Sequence, residues 1–143
     1  GSGGALPGLF GGDDLGSASQ KKGFAVRSRW RDGGKAELRL STGSEGDAHV
    51  LAIGKSGAPF GRDRWVKVEQ EVVLNRPGAA DGLVRVFIDD ELKLEAGKLA
   101  LRAENIGFAG VLADLHYSRN DLSWAPSPKS ASVLLSPLEL RWR

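Results

Sequence analysis

Arginine occupies every second position of one stretch, residues 27–31, inside the segment FAVRSRWRDGGKAELRL. Arg27, Arg29 and Arg31 alternate there with Ser28, Trp30 and other uncharged residues, which is the period-two pattern of a β-strand. Successive strand residues point to opposite faces, so the arginines form a row with roughly 6.6 Å between neighbours. Such a row could bind a negatively charged polymer.

A second alternating strand follows the turn Asp32-Gly33-Gly34, so residues 24–42 are predicted to form a hairpin. Pairing should bring Lys35 and Arg39 onto the face of the arginine row. Like charges crowded on one face weaken strand pairing, and a bound polyanion would compensate for that repulsion. The alternative is an ordinary solvated face of an antiparallel sheet, on which the arginines pair with Glu37 and other acids.

The remainder of the chain predicts an all-β protein, an antiparallel β-sandwich. No segment has helical periodicity, and turn residues recur at spacings of roughly 8 to 12 residues, as in sandwiches. Asp89-Asp90-Glu91 is expected to be the turn of a second hairpin. Further strands are expected at residues 48–55, 65–75, 83–88, 92–95, 106–119 and 132–142.

Length and composition favour one domain. Residues 1–22 are expected to be a glycine-rich, irregular lead-in, and residues 23–143 a single domain that is long enough to bury a core. Net charge is only +2, so any basic character that matters must be local. The chain has no cysteine, which excludes disulfides and thiolate sites.

Targeting signals are missing from the sequence. No apolar run reaches the roughly 20 residues of a membrane span, and no signal peptide is present. Gly1-Ser2 is typical of a cloning remnant, so an export signal could have been removed.

Four segments together resemble the alginate and glucuronan lyases of polysaccharide lyase family fourteen. They are LPGLFGG (6–12), FAVRSRWRDGGKAELRL (24–40), GRDRWVKVEQEVVLNRPGAADGLVRVFID (61–89) and SWAPS (123–127). The resemblance implies a concanavalin A-like β-jelly roll whose concave sheet holds a uronate polymer, in a secreted or periplasmic protein. It also implies strands upstream of LPGLFGG, so we expect either a shortened sandwich or one piece of a larger assembly. An unpaired sheet edge would favour self-association or a partner strand.

The family's proton-transfer positions carry other residues here. A lyase of this class neutralises the uronate carboxylate, removes the C5 proton and protonates the departing O4. The resemblance implies that Arg27 performs the first task. The lysine of the family motif is replaced by Ala5, and the two alternating tyrosines fall on Arg39 and Ser41.

Three residues could replace the lost acid and base: His49, His116 and Tyr117. His116 and Tyr117 are neighbours in an expected strand, so they point to opposite faces and could line one cleft only across a bulge. The first candidates for catalytic residues are Arg27, His116 and Tyr117.

Other chemistries lack their motifs. The paired aspartates have no spaced ligand series for calcium, and no nucleophile motif frames the serines. We expect neither a metal nor a cofactor. Nucleic acid is not expected as a partner, because no aromatic residues interleave on the basic face to stack bases.

Three functions remain open. The favoured one is a noncatalytic domain that binds acidic polysaccharide. The second is an active polysaccharide lyase that cleaves alginate or glucuronan by β-elimination, using Arg27 with His49, His116 or Tyr117. The third is a structural or assembly module without sugar binding. The candidate substrate-binding residues are Arg27, Arg29, Arg31, Arg39, Ser41, Lys67 and Arg85.

Overall fold

The computed structural model is built of β-strands. It describes residues 3–12, 23–31, 34–42, 48–54, 60, 63–113, 116–117 and 133–142, and no α-helix occurs among them. The strands are β1 (Gly3–Gly11), β2 (Phe24–Arg31), β3 (Ala36–Thr42), β4 (Ala48–Ile53), β5 (Val68–Val73), β6 (Gly82–Ile88), β7 (Glu91–Leu99), β8 (Gly110–Leu112) and β9 (His116–Tyr117).

Two antiparallel sheets contain these strands. The first sheet has the order β4-β3-β2-β1-β8, with β9 also paired to β1, and the second has the order β5-β6-β7. Their facing sides form the core, where Val26 and Leu38 of the first sheet join Val84 and Val86 of the second. The predicted β-sandwich is confirmed.

The first hairpin forms as its alternation predicts. β2 pairs with β3 from Phe24 opposite Thr42 to Trp30 opposite Ala36. Along β2, Phe24, Val26 and Ser28 are buried while the residues between them are half-buried. Asp32 and Gly33, in the predicted turn, lie outside the described residues.

The second hairpin has a two-residue turn rather than the three-residue turn expected. Asp89 and Asp90 both have positive φ, 49° and 66°, as a type I′ turn requires. Glu91 already belongs to β7 and pairs with Ile88. Aspartate tolerates this left-handed conformation better than most residues.

Three expectations about elements need correction. Residues 3–11, expected to be an irregular lead-in, form β1 near the centre of the first sheet, between β2 and β8. In the described part of residues 106–119, the strand expected over the whole range is replaced by the short strands β8 and β9. The strand expected over 132–142 does not form in its described part, residues 133–142. A strand needs a partner edge as well as an alternating sequence, and alternation alone does not reveal whether one is available.

Residues 133–142 instead expose apolar side chains. Leu134 is 74% exposed and Trp142 is 86% exposed. In the described part of the second sheet, β5 and β7 are the edge strands. That a partner strand or a second copy of the chain covers residues 133–142 or these edge strands stays a prediction.

A candidate polyanion-binding face

The arginines of β2 and β3 lie on the face of the first sheet that points away from the core. Residues directly opposite each other in antiparallel strands share a face, and Arg27 is opposite Arg39 while Arg29 is opposite Glu37. The Arg31 backbone N–H donates to the Lys35 carbonyl at 2.8 Å, which extends the pairing by one step. We call Arg27, Arg29, Arg31 and Arg39 the arginine face.

One carboxylate compensates part of this charge. Arg31 Nε donates to Glu37 Oε2 at 2.7 Å. The pKa of Arg29 is lowered from its usual value, chiefly by burial and then by the positive charges of Arg31 and Arg39. Within the described part of the chain, neither Arg29 nor Arg39 has a salt bridge to a carboxylate. The arginine face therefore keeps a positive charge that an anionic ligand could neutralise.

Arg27 is held in place by the neighbouring strand. Its Nε and Nη2 both donate to the Leu6 carbonyl, at 3.2 Å each. That carbonyl lies in a bulge, since the β1–β2 register shifts between Ala5, opposite Arg29, and Gly8, opposite Arg27. The three-residue advance from Ala5 to Gly8 in β1 thus lies opposite a two-residue advance from Arg29 to Arg27 in β2.

Sequence reasoning missed this bulge, although it carried a signal. Pro7 has no backbone N–H and cannot contribute a ladder hydrogen bond, so a proline inside an extended segment marks an edge or a bulge. Sequence reasoning also missed Gln70, whose amide reaches the Val26 carbonyl from the second sheet.

A family profile described as polysaccharide lyase 14 matches residues 1–135 of the chain. The chain belongs to the polysaccharide lyase 14 family. The resemblance noted in the sequence is thereby confirmed. Among curated proteins, none matches this lyase 14 chain.

Solved structures of alginate lyases share the jelly-roll fold of this polysaccharide lyase 14 chain. The marine PL-14 alginate lyase from Aplysia kurodai is 23% identical with a TM-score of 0.67, over 85% of this chain and 56% of its own. Alginate lyase vAL-1 from Chlorella virus is 19% identical with a TM-score of 0.62, over 76% of this chain and 52% of its own. Alginate lyase Aly36B is 15% identical with a TM-score of 0.57, over 73% of this chain and 47% of its own. The lyase 14 chain thus spans about half the length of these enzymes.

The positions at which the chain departs from the family pattern lie in β1 and β3, on either side of β2. Ala5 is buried and lies opposite Arg29. Ser41 is half-buried and lies opposite Ala25, two residues along β3 from Arg39. Ala5, Arg39 and Ser41 are the three positions at which the family resemblance implies a lysine and two tyrosines.

The alternative acid and base candidates differ in their backbone positions. His116 is in register with Ala5, so the row Arg29–Ala5–His116 crosses three strands. Tyr117 is in register with Gly4, and Gly4 in turn with Trp30. His49 is in register with Leu40, a core residue, so His49 is not on the arginine face of this lyase 14 chain.

Two of the candidate substrate-binding residues lie elsewhere. Lys67 immediately precedes β5, and Arg85 is in β6, so both belong to the second sheet. Arg85 donates to Glu95 at 2.7 Å and to Glu71 at 3.1 Å, while Lys67 bonds Asp90. The lyase 14 fold does not bring Lys67 or Arg85 to the arginine face, and carboxylates already compensate their charges.

The described ranges contain neither a metal-binding cluster nor a membrane-spanning helix. No group of three or more histidine, cysteine, aspartate or glutamate residues there could hold a metal ion. The same ranges of the lyase 14 chain contain no helix that could cross a bilayer.

Proposed function

We propose that this chain binds acidic polysaccharide of the uronate class through the arginine face, without cleaving it. The observation that carries the proposal is the direct pairing of Arg27 with Arg39 beside Arg29. Like charges in opposed positions destabilise a strand pair, so a site that gathers them favours an anionic ligand. Guanidinium groups bind carboxylates through paired hydrogen bonds, and uronates carry one carboxylate per sugar.

The fold supports a uronate polymer as the first ligand to test. The similar solved structures are alginate lyases. Ala5, Arg39 and Ser41 stand where the family resemblance implies a lysine and two tyrosines. Binding without elimination is therefore the function that fits both the charge and the lost proton-transfer groups.

One observation favours active cleavage as a second candidate. The register aligns His116 with Ala5, in the row that contains Arg29. A histidine there could remove a proton, because its ordinary pKa lies near neutrality. Cleavage by β-elimination would produce an unsaturated uronate that absorbs ultraviolet light.

The experiment measures binding and ultraviolet absorbance with alginate, polyguluronate, polymannuronate and glucuronan. We expect binding without an absorbance rise. The double variant Arg27→Ala/Arg29→Ala should bind about a hundredfold more weakly, because it loses two charge-assisted contacts of about 1.5 kcal/mol each.

A matched control keeps the charge change constant. Arg76→Ala/Arg141→Ala also removes two positive charges, from side chains that are 85% and 86% exposed and outside the arginine face, and it should bind like the parent chain. Equal losses in both double variants would mean that net charge alone drives binding. An absorbance rise that disappears in His116→Ala would establish the lyase, and no binding at all would favour a structural or assembly module.

A further inference from the structure

Gln70 connects the second sheet to the backbone beneath Arg27. It lies on β5, is half-buried and is 44 residues away from Val26 in sequence. Its Nε2 donates to the Val26 carbonyl oxygen at 3.1 Å. The Val26 carbonyl and the Arg27 amide nitrogen belong to one planar peptide unit, so Gln70 holds the peptide that carries Arg27.

The β1 bulge constrains the same peptide from within the first sheet. Gly8 passes so close that a Cβ there would lie 2.3 Å from the Val26 carbonyl oxygen and 2.8 Å from Arg27 Cγ. The bulge also directs the Leu6 carbonyl at the Arg27 guanidinium. The backbone and the side-chain end of Arg27 thus have separate supports.

We propose that Gln70 is a positioning residue for Arg27. It fixes the Val26–Arg27 peptide from the core side, while the Leu6 carbonyl fixes the guanidinium, so that Arg27 is oriented before an anion arrives. Part of this inference, the effect on affinity, rests on the proposed function, because it assumes that Arg27 binds a uronate. Preorganisation of this kind lowers the cost of ordering a side chain on binding.

The polar character of Gln70 argues for such a role. Val66 and Val72 occupy the same face of this alternating segment and pack against the core, where an apolar side chain would avoid the cost of burying an amide. The remaining alternative is a purely structural amide that satisfies the Val26 carbonyl. The two roles predict different results when Gln70 is replaced. A positioning role predicts faster hydrogen exchange at the Arg27 guanidinium, whereas a purely structural role predicts no change there.

The test follows Arg27 directly, in the full chain. Nuclear magnetic resonance of ¹⁵N-labelled arginine would record hydrogen exchange at Arg27 Nε–H, assigned by the loss of its signal in Arg27→Lys. Gln70→Met keeps the length of the side chain and removes the donor. We expect exchange at Arg27 to accelerate about tenfold and polyuronate affinity to fall about tenfold, the effect of one hydrogen bond.

Val72→Ala is the matched control, since it shortens a core side chain of the same strand and lowers stability but leaves the Gln70 hydrogen bond to the Val26 carbonyl in place. It should leave exchange at Arg27 and affinity unchanged. Equal acceleration in both variants, or none in Gln70→Met, would overturn the proposal. If Gln70→Met does not fold, Gln70→Leu serves instead, because its apolar side chain also lacks the donor and suits the core face of β5.

Affinity supplies a second criterion. If Gln70 acts through Arg27, Gln70→Met should cause no further loss of affinity in the Arg27→Lys background. An additive loss would contradict the proposed role. Should the parent chain bind no uronate polymer, the proposed function fails, yet exchange at Arg27 still decides whether Gln70 positions it.

Discussion

Asn75 shows how one buried polar side chain can hold a loop to the sandwich. It is fully buried, and its Oδ1 accepts the backbone N–H groups of Leu101 and Arg102 at 2.9 Å each. Its Nδ2 lies 2.8 Å from the carbonyls of Arg76, Ala79 and Arg102. Asn75 therefore fastens the turn between β5 and β6 to the segment that follows β7.

Replacing Asn75 should be costly because its side chain is fully buried and is the hydrogen-bond partner of several backbone groups. We expect Asn75→Ala to lower the free energy of unfolding by about 2–4 kcal/mol, as several buried groups lose a partner. Urea denaturation followed by tryptophan fluorescence would measure the loss. Asn105→Ala, at an exposed site, should change stability by less than about 0.5 kcal/mol, and equal effects would contradict the role of Asn75.

At the scale of elements, β1 joins the two halves of the first sheet. It pairs with β2 on one side and with β8 and β9 on the other. Its bulge directs the Leu6 carbonyl at Arg27, and Gly8 allows β1 to approach Val26 closely. The arginine face consequently depends on a strand that carries none of its charged groups.

A side chain at position 8 should disturb both the sheet and the arginine face. Gly8→Ala places a Cβ 2.3 Å from a backbone oxygen, so the strands must shift. We expect about 1–3 kcal/mol of destabilisation together with weaker uronate binding. Gly107→Ala is the control, because nothing lies within 4 Å of a Cβ there. A Gly8→Ala chain as stable as the control would show that β1 can move away without cost.

Across the whole molecule, the two sheets differ in local charge although the net charge is small. The chain carries only a net +2, yet the described strands of the first sheet contain four arginines and a single carboxylate, Glu37. On the second sheet, Arg85 lies between Glu71 and Glu95. Local excess, rather than net charge, therefore distinguishes one surface from the other.

Binding through arginines should respond to salt but hardly to pH. Guanidinium groups stay protonated, and carboxyl groups ionise near pH 4, so affinity should be flat between about pH 5 and pH 9. The affinity should fall about tenfold or more between about 0.05 and 0.5 M salt, because salt screens exposed charges. Titration calorimetry would measure both. A midpoint between about pH 5 and pH 8 would instead implicate a histidine.

Self-association is expected at the exposed apolar segment and the open edge of the second sheet. Leu138 and Leu140 are each more than half exposed, and unpaired edges recruit further strands. Sedimentation velocity at increasing concentration should reveal species larger than the 15.2 kDa chain. Leu138→Lys/Leu140→Lys should reduce them. A single monomeric species at every concentration would contradict this expectation.

Residues that share a strand face can be recognised from local sequence alone. Alternation along residues 24–42 placed the arginines opposite a buried row, and the two aspartates between β6 and β7 marked a turn. Such features are local, because the period of a strand and the φ preferences of a turn depend on neighbouring residues. The family resemblance added the jelly roll, which the fold confirms.

The folded structure was needed to show which faces and edges meet. It placed residues 3–11 beside β2, left residues 133–142 without a strand partner among the described residues, and separated Lys67 and Arg85 from the arginine face. It also brought Gln70 beneath Arg27. Each of these depends on pairing or packing between distant segments, whose register is set by the shared core and by a bulge rather than by any local pattern.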